Sequence, residues 1–350
     1  MISNLARPLA ALGRLGPLLP ALAAAGLWLA GSASASMAAE TCAGRNLVET
    51  LQADGKLAAV EAAAAAIPNG EGKLFRVERA GTMPSFLFGT IHLSDPRVLT
   101  LPASAESAFA AADRLVIETT DIADPAKAAA ALFANPELIN LPRGETLATL
   151  LDPADLATVE AGLAARGIPL QSVQTLQPWF TAVSLMLPAC ETARKEGGDS
   201  VLDTWLAERA TAEGKPVEGL ETAAEQLEAL ASLSLELQLE SLVATVALSD
   251  RMPDVMETMI ALYLDGRIAM IMPAIEAAVP NGGLLVGAGE GYAEFERRVV
   301  TERNARMVQR MQAMLDEGGA FVAVGALHLP GEAGLVALLQ EEGWDVTRAD

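Results

Sequence analysis

Histidine and cysteine are nearly absent: the 350 residues contain two of each, His92 and His328, Cys42 and Cys190. Two imidazoles are too few to build most catalytic metal centres alone, so any metal site here must draw carboxylates into its ligand set. Positive charge is also short, with 24 Lys and Arg against 45 Asp and Glu and a net charge of −21. A surface of that sign repels phosphate backbones and argues against nucleic acid and anionic lipid as partners. After the first 35 residues, no apolar run reaches the ~20 residues a membrane span needs, which argues against an integral membrane protein once the leader is removed. There is no Gly-x-Ser-x-Gly elbow, no Walker loop and no His-Glu-x-x-His pair. Gly287 to Gly291 lacks the dinucleotide-binding spacing and reads as a loop.

The N-terminus has the pattern of an export signal. Arg7 and Arg14 precede a Leu- and Ala-rich run from Leu15 to Gly31, Ala33-Ser34-Ala35 offers a small-residue cleavage site, and no acid occurs before Glu40. The alternative is an uncleaved anchor, but Pro17 and Pro20 interrupt the run and favour cleavage. Ala39-Glu40-Thr41 before Cys42 is not an apolar lipobox. Residues 1–35 are therefore expected to be a signal peptide and 36–350 one domain, delivered to the periplasm or secreted. In an oxidising compartment a lone cysteine pair forms a disulfide more often than a site, so Cys42–Cys190 is the expected bond.

Apolar periodicity predicts an Ala-rich helical entry over Leu47–Ala66, then a hairpin of strands Leu74–Glu78 and Ser85–Ile91. A helix near Ala103–Ala112 and a buried strand Arg114–Thr119 follow, suggesting a parallel pairing through a helical crossover. About 125–278 is mostly helical, broken by a brief strand at Lys215–Leu220, and the methionines from Met252 to Met272 read as helix core. A long amphipathic helix (about Glu290 to Leu315), a buried strand Ala320–Gly325, a helix Glu332–Glu342 and a strand near Trp344–Thr347 complete the chain. The expected class is α/β (α+β): a central mixed sheet built from both chain ends, with a large helical insertion and helix-rich overall.

Both histidines share one local pattern. Gly89-Thr90-Ile91-His92-Leu93 and Gly325-Ala326-Leu327-His328-Leu329 each close an apolar strand, where residues of α/β sheets line the ligand crevice. Two imidazoles placed there can bind a metal or exchange protons near neutral pH. Glu118 ends the strand after the first histidine, Glu221 ends the brief mid-chain strand and opens a helix, and Arg303 lies on the helix before the second histidine strand. Each also has a plain structural role available, as a solvated strand end, a helix N-terminal acid or a solvated helix face.

Pro84-Ser85-Phe86-Leu87-Phe88-Gly89-Thr90-Ile91-His92 with Asp95-Pro96-Arg97-Val98, Leu115–Glu118, Gln177-Pro178-Trp179, Gly219-Leu220-Glu221-Thr222 with Gln226, Glu302-Arg303-Asn304, and Val324–Glu332 occur in one order along the chain. Together they resemble the TraB/GumN family, which includes the Tiki proteases and is related to the erythromycin esterase and ChaN-like group. The resemblance implies an α/β core and functional roles for His92, His328 and Glu118, with Glu221 and Arg303 as further polar positions. It also implies a metal-dependent peptidase, with manganese or cobalt as the ion, zinc being admissible, and His92, Glu118 and His328 as the ligand set. Met307 departs from the pattern, which usually places Trp there. The expected function is thus an exported metal-dependent hydrolase of a peptide or small amide or ester. A non-catalytic peptide- or glycan-binding protein and a metal-independent esterase are the alternatives.

Overall fold

The computed structural model describes residues 42, 44–121, 125–279 and 290–350. The expected signal peptide lies outside the described residues, as do Gly287 to Gly289.

Six strands form one sheet in the order β4-β3-β5-β2-β1-β6: β1 Leu74–Glu78, β2 Ser85–Thr90, β3 Arg114–Ile117, β4 Val217–Gly219, β5 Ala320–Gly325 and β6 Asp345–Arg348. β1 pairs antiparallel with both β2 and β6, whereas β2, β5, β3 and β4 run parallel to one another. The expected hairpin is present. The expected β2–β3 pairing is corrected: the two strands are parallel, but β5 lies between them. Its residues Ala320 to Val324 are all buried, so β5 gains most from the position covered on both faces.

Side-chain alternation along β5 divides the core. Phe321 and Ala323 join Phe88, Leu115, Ile117 and the helices Leu47–Ala53, Ala103–Ala111, Leu202–Ala212 and Met252–Leu264. Val322 and Val324 face Met307, Met311 and Leu315 of the helix Glu302–Glu317, and Leu335 and Leu339 of the helix Leu335–Glu341. Met307, at the position where the family resemblance favours Trp, is fully buried in this second core. A third core, around Leu147, Leu163, Leu185 and Leu242, belongs wholly to the mid-chain helices.

Other boundaries shift for local reasons. The helical entry splits into Leu47–Ala53 and Leu57–Ala65, because Gly55 takes a left-handed φ of 70° between them. The long C-terminal helix is three pieces: Glu290–Phe295, a π-helical stretch Glu296–Thr301 and Glu302–Glu317. Glu290 thus opens a helix rather than continuing the glycine-rich loop. Cys42 and Cys190 are joined by a disulfide, 148 residues apart in sequence. Among the described residues, no single helix is long and apolar enough to cross a membrane.

Candidate active site

The four parallel strands end on one edge of the sheet, and each delivers one of the residues singled out from sequence. Glu221 follows β4, Glu118 follows β3, His328 follows β5 and His92 follows β2, in that spatial order. The two glycine motifs touch there. A Cβ on Gly89 would lie 2.6 Å from the Leu329 side chain and 3.0 Å from the Ala326 backbone. A Cβ on Gly325 would stand among the functional groups, 3.1 Å from Glu118 Oε1, 3.5 Å from His328 Cδ2 and 3.7 Å from His92 Nε2. One glycine lets the motifs pack; the other leaves the space between the reactive groups open.

Glu118 is buried and fully engaged. Gly325 N–H donates to Oε1 at 2.7 Å, while Gln226 Nε2 and Arg303 Nη2 donate to Oε2 at 3.0 and 2.6 Å. Burial pushes its carboxyl up, but the charges of His328, His92 and Arg303 and the Gly325 N–H outweigh that and hold it down at about 2. Arg303 is buried as well. Nε and Nη2 donate to Glu221 Oε2 at 2.9 and 2.7 Å, and Nη1 faces the Val299 carbonyl and His328 Nε2, each at 3.3 Å. With Glu118 added, these contacts occupy the donors of its fork, so Arg303 organises the carboxylates from within. Glu221 stands behind Arg303. Its Oε1 makes no hydrogen bond and has the Arg306 guanidinium 3.4 Å away.

The two histidines have similar motifs but different partners. His328 is buried, its Nδ1 2.6 Å from Asn304 Oδ1. Asn304 Nδ2 donates to the carbonyls of His328 and Ala333, which turns Oδ1 toward the ring. Nδ1 therefore carries the proton and Nε2 is left as an acceptor, 3.9 Å from Glu118 Oε1. Burial, with Arg303 and His92 adding to it against the pull of Glu118, lowers His328 to about 4. His92 has 54% of its side chain exposed, and its Nδ1 lies 2.7 Å from Asp203 Oδ2. The Asp203 carboxylate raises His92 to about 9 against the cost of crowding the ring, and solvent over the exposed half screens part of that pull.

A cavity of about 230 Å³ opens beside these groups. His92, Glu118, Asp203, Gln226 and Arg303 form its polar side, and Ile117, Leu230 and Val299 its apolar wall. His328 and Glu221 do not line it; they act from behind, through Glu118 and Arg303.

Asp203 went unnoticed in the sequence. It sits in Leu202–Ala212 among the buried Leu206, Ala207 and Ala210, a carboxylate on the apolar face of a helix. That placement was a legible signal. Gln226 and Asn304 stood within the resembling motifs, but nothing in their spacing showed which groups they hold.

The resemblance implies a divalent ion, and the donors can be tested against one. Both imidazoles have an oriented Nδ1, as metal-binding histidines do. Yet among the described residues no three of His, Cys, Asp and Glu converge on a common point at ligand distance. The Arg303 guanidinium already contacts His328, Glu118 and Glu221, and each Glu118 oxygen accepts a hydrogen bond from the protein. In this arrangement the residues do not fit a resident metal.

The chain is similar to Metalloprotease TIKI1 of Danio rerio, 27% identical over 303 residues, covering 75% of this chain and 60% of the relative. Metalloprotease TIKI1 of Homo sapiens is 27% identical over 317 residues, with 76% and 60% covered. Metalloprotease TIKI2 of Xenopus tropicalis is 28% identical over 313 residues, with 75% and 57% covered. The chain spans about three-fifths of the length of these relatives. No solved structure matches it. The TraB/PrgY/gumN family model matches residues 73–348, from the residue before β1 to the end of β6, and the chain belongs to that family.

Proposed function

We propose that this chain is an exported hydrolase of amide or ester bonds in peptide-like substrates, with His92 and Glu118 at the reacting centre and His328 behind Glu118. The observation that carries this is the cavity of about 230 Å³ that His92 and Glu118 line together, with His328 Nε2 3.9 Å from Glu118 Oε1 behind it. A water there attacks the substrate carbonyl. Its proton passes to the Glu118–His328 pair, which holds one carboxylate and one neutral imidazole and so takes up one proton. His92, cationic through Asp203, donates from Nε2 to the leaving amine or alkoxide. Arg303 and Glu221 hold Glu118 in place, and the apolar wall supports substrate carbon. The leader-like N-terminus and the Cys42–Cys190 bond support a periplasmic or secreted location.

The description of the relatives as metalloproteases supports a second reading, in which a divalent ion such as manganese or cobalt assists. That reading requires Arg303 to release Glu118 so that the donors regroup. One experiment separates the two: the chain lacking its leader is stripped with chelator and assayed on a peptide and ester library with and without Mn²⁺. Turnover that survives chelation and is lost in His92→Ala and His328→Ala supports direct acid–base hydrolysis. Turnover restored only by Mn²⁺ selects the metal reading. Tight binding without turnover makes the chain a binding protein.

A further inference from the structure

We propose that Asp203 is the positioning residue of the site: it holds the ring of His92 in one orientation, with Nδ1 on the carboxylate and Nε2 turned toward Gly325. This deepens the hydrolase reading and rests on it for its kinetic part.

The two histidines are held in unequal ways. His328 is 5% exposed, so packing restrains its ring before Asn304 adds a hydrogen bond. His92 follows β2 in a short connection, and solvent reaches 54% of its side chain. Packing alone leaves such a ring free to rotate about χ1 and χ2. Asp203 supplies the restraint. Its Oδ2 lies 2.7 Å from His92 Nδ1, and its Oδ1 accepts from Thr90 Oγ1 at 2.6 Å. Both oxygens are thus tied to the same strand end, two residues apart, which sets the carboxylate plane and through it the ring. The Leu202 N–H donates to the Leu93 carbonyl at 3.2 Å, so the helix that carries Asp203 is docked onto the histidine segment itself.

Burying a carboxylate on an apolar helix face is costly without compensating partners. Asp203 is 4% exposed, and its partners belong to the histidine motif. A role confined to helix packing would be met at lower cost by Leu or Asn. With Nδ1 committed to Asp203, only Nε2 is free to face substrate.

Because the sequence has only two histidines, imidazole ¹H–¹⁵N spectra give two resolvable systems without crowding. Wild type, Asp203→Asn and Asp203→Ala are compared in the full chain lacking its leader. Asp203→Ala is expected to lose the protected Nδ1–H signal of His92 and show mixed tautomers, while the His328 signals stay in place. Asp203→Asn keeps an acceptor and is expected to retain one tautomer. On a substrate that is turned over, Asp203→Ala lowers kcat by about tenfold to a hundredfold, the scale for losing a partner that orients an active imidazole, with KM little changed. Asp203→Asn recovers part of that loss. A His92 spectrum unchanged in Asp203→Ala overturns the proposal, as does a fall in kcat that tracks the unfolded fraction alone. If no library member is turned over by wild type, the hydrolase reading fails, and the spectra still decide whether Asp203 orients His92.

Discussion

Gly325 shows at one residue how space and chemistry are linked. Its φ is −51°, which any residue can adopt, so the position is constrained by what surrounds it rather than by backbone strain. Gly325→Ala places a methyl 3.1 Å from Glu118 Oε1, tight enough to shift the carboxylate by tenths of an ångström. We expect kcat to fall by about tenfold or more with a thermal midpoint within a few degrees of wild type, measured by steady-state kinetics and circular dichroism. Arg303 makes the opposite case. Arg303→Met leaves Glu118 and Glu221 buried without their shared cation, and urea unfolding should show a loss of about 3–5 kcal/mol. A variant as stable as wild type sinks that account. The titrating groups also set the acid response. His328, lowered to about 4, contributes stability that is full above 6.5 and fades as pH falls toward 4. Glu118, held at about 2, adds a contribution lost below its ordinary value near 4.5. Both signs agree, so the thermal midpoint should drop as buffer pH is taken from 7 to 4. A midpoint that rises over that interval refutes the assignment.

At the scale of elements, the strand ends were legible because period-two runs closed by glycine are a strong local signal. β1, β2, β5 and the short β4 fall where alternation and apolar runs put them. The order of strands was not legible, since the position of β5 between β2 and β3 is a long-range choice set by burial on both faces. The roles of the site residues were partly legible. The sequence drew attention to His92, His328, Glu118, Glu221 and Arg303, but it could not show that Glu221 and His328 stand back from the cavity. Nor could it show that the donors of Arg303 are spent on protein acceptors. Nor did helical periodicity reveal the π-helical stretch whose Val299 carbonyl meets Arg303 and whose side chain walls the cavity. Contact between the two glycine motifs gives an element-scale test. Gly89→Ala overlaps Leu329 and Ala326, and guanidinium unfolding should report a loss of roughly 1–3 kcal/mol. No measurable loss means the two segments do not pack as closely as described.

Across the whole molecule, the Cys42–Cys190 bond ties the beginning of the described chain to the helix Ala189–Glu196. That helix carries Glu191, whose carboxylate accepts from the Ser94 N–H and hydroxyl at 3.0 and 2.7 Å, two residues beyond His92. In the chain-entropy account a loop of 148 residues is worth about 5 kcal/mol, so the Cys42→Ser, Cys190→Ser variant should unfold at clearly lower denaturant. Equal midpoints for the oxidised and variant chains discard that contribution.

The position of β5 has a temporal meaning too. His92 and Glu118 are present early in the chain, but the strand that joins their two strands begins at Ala320. Until the last tenth of the polypeptide arrives, β2 and β3 share no neighbour and Glu118 lacks the Gly325 N–H. A chain still being made therefore carries His92, Glu118, Asp203, Glu221 and Arg303 without β5 and His328, which complete the site. Competence arrives in one step, at the end of the chain.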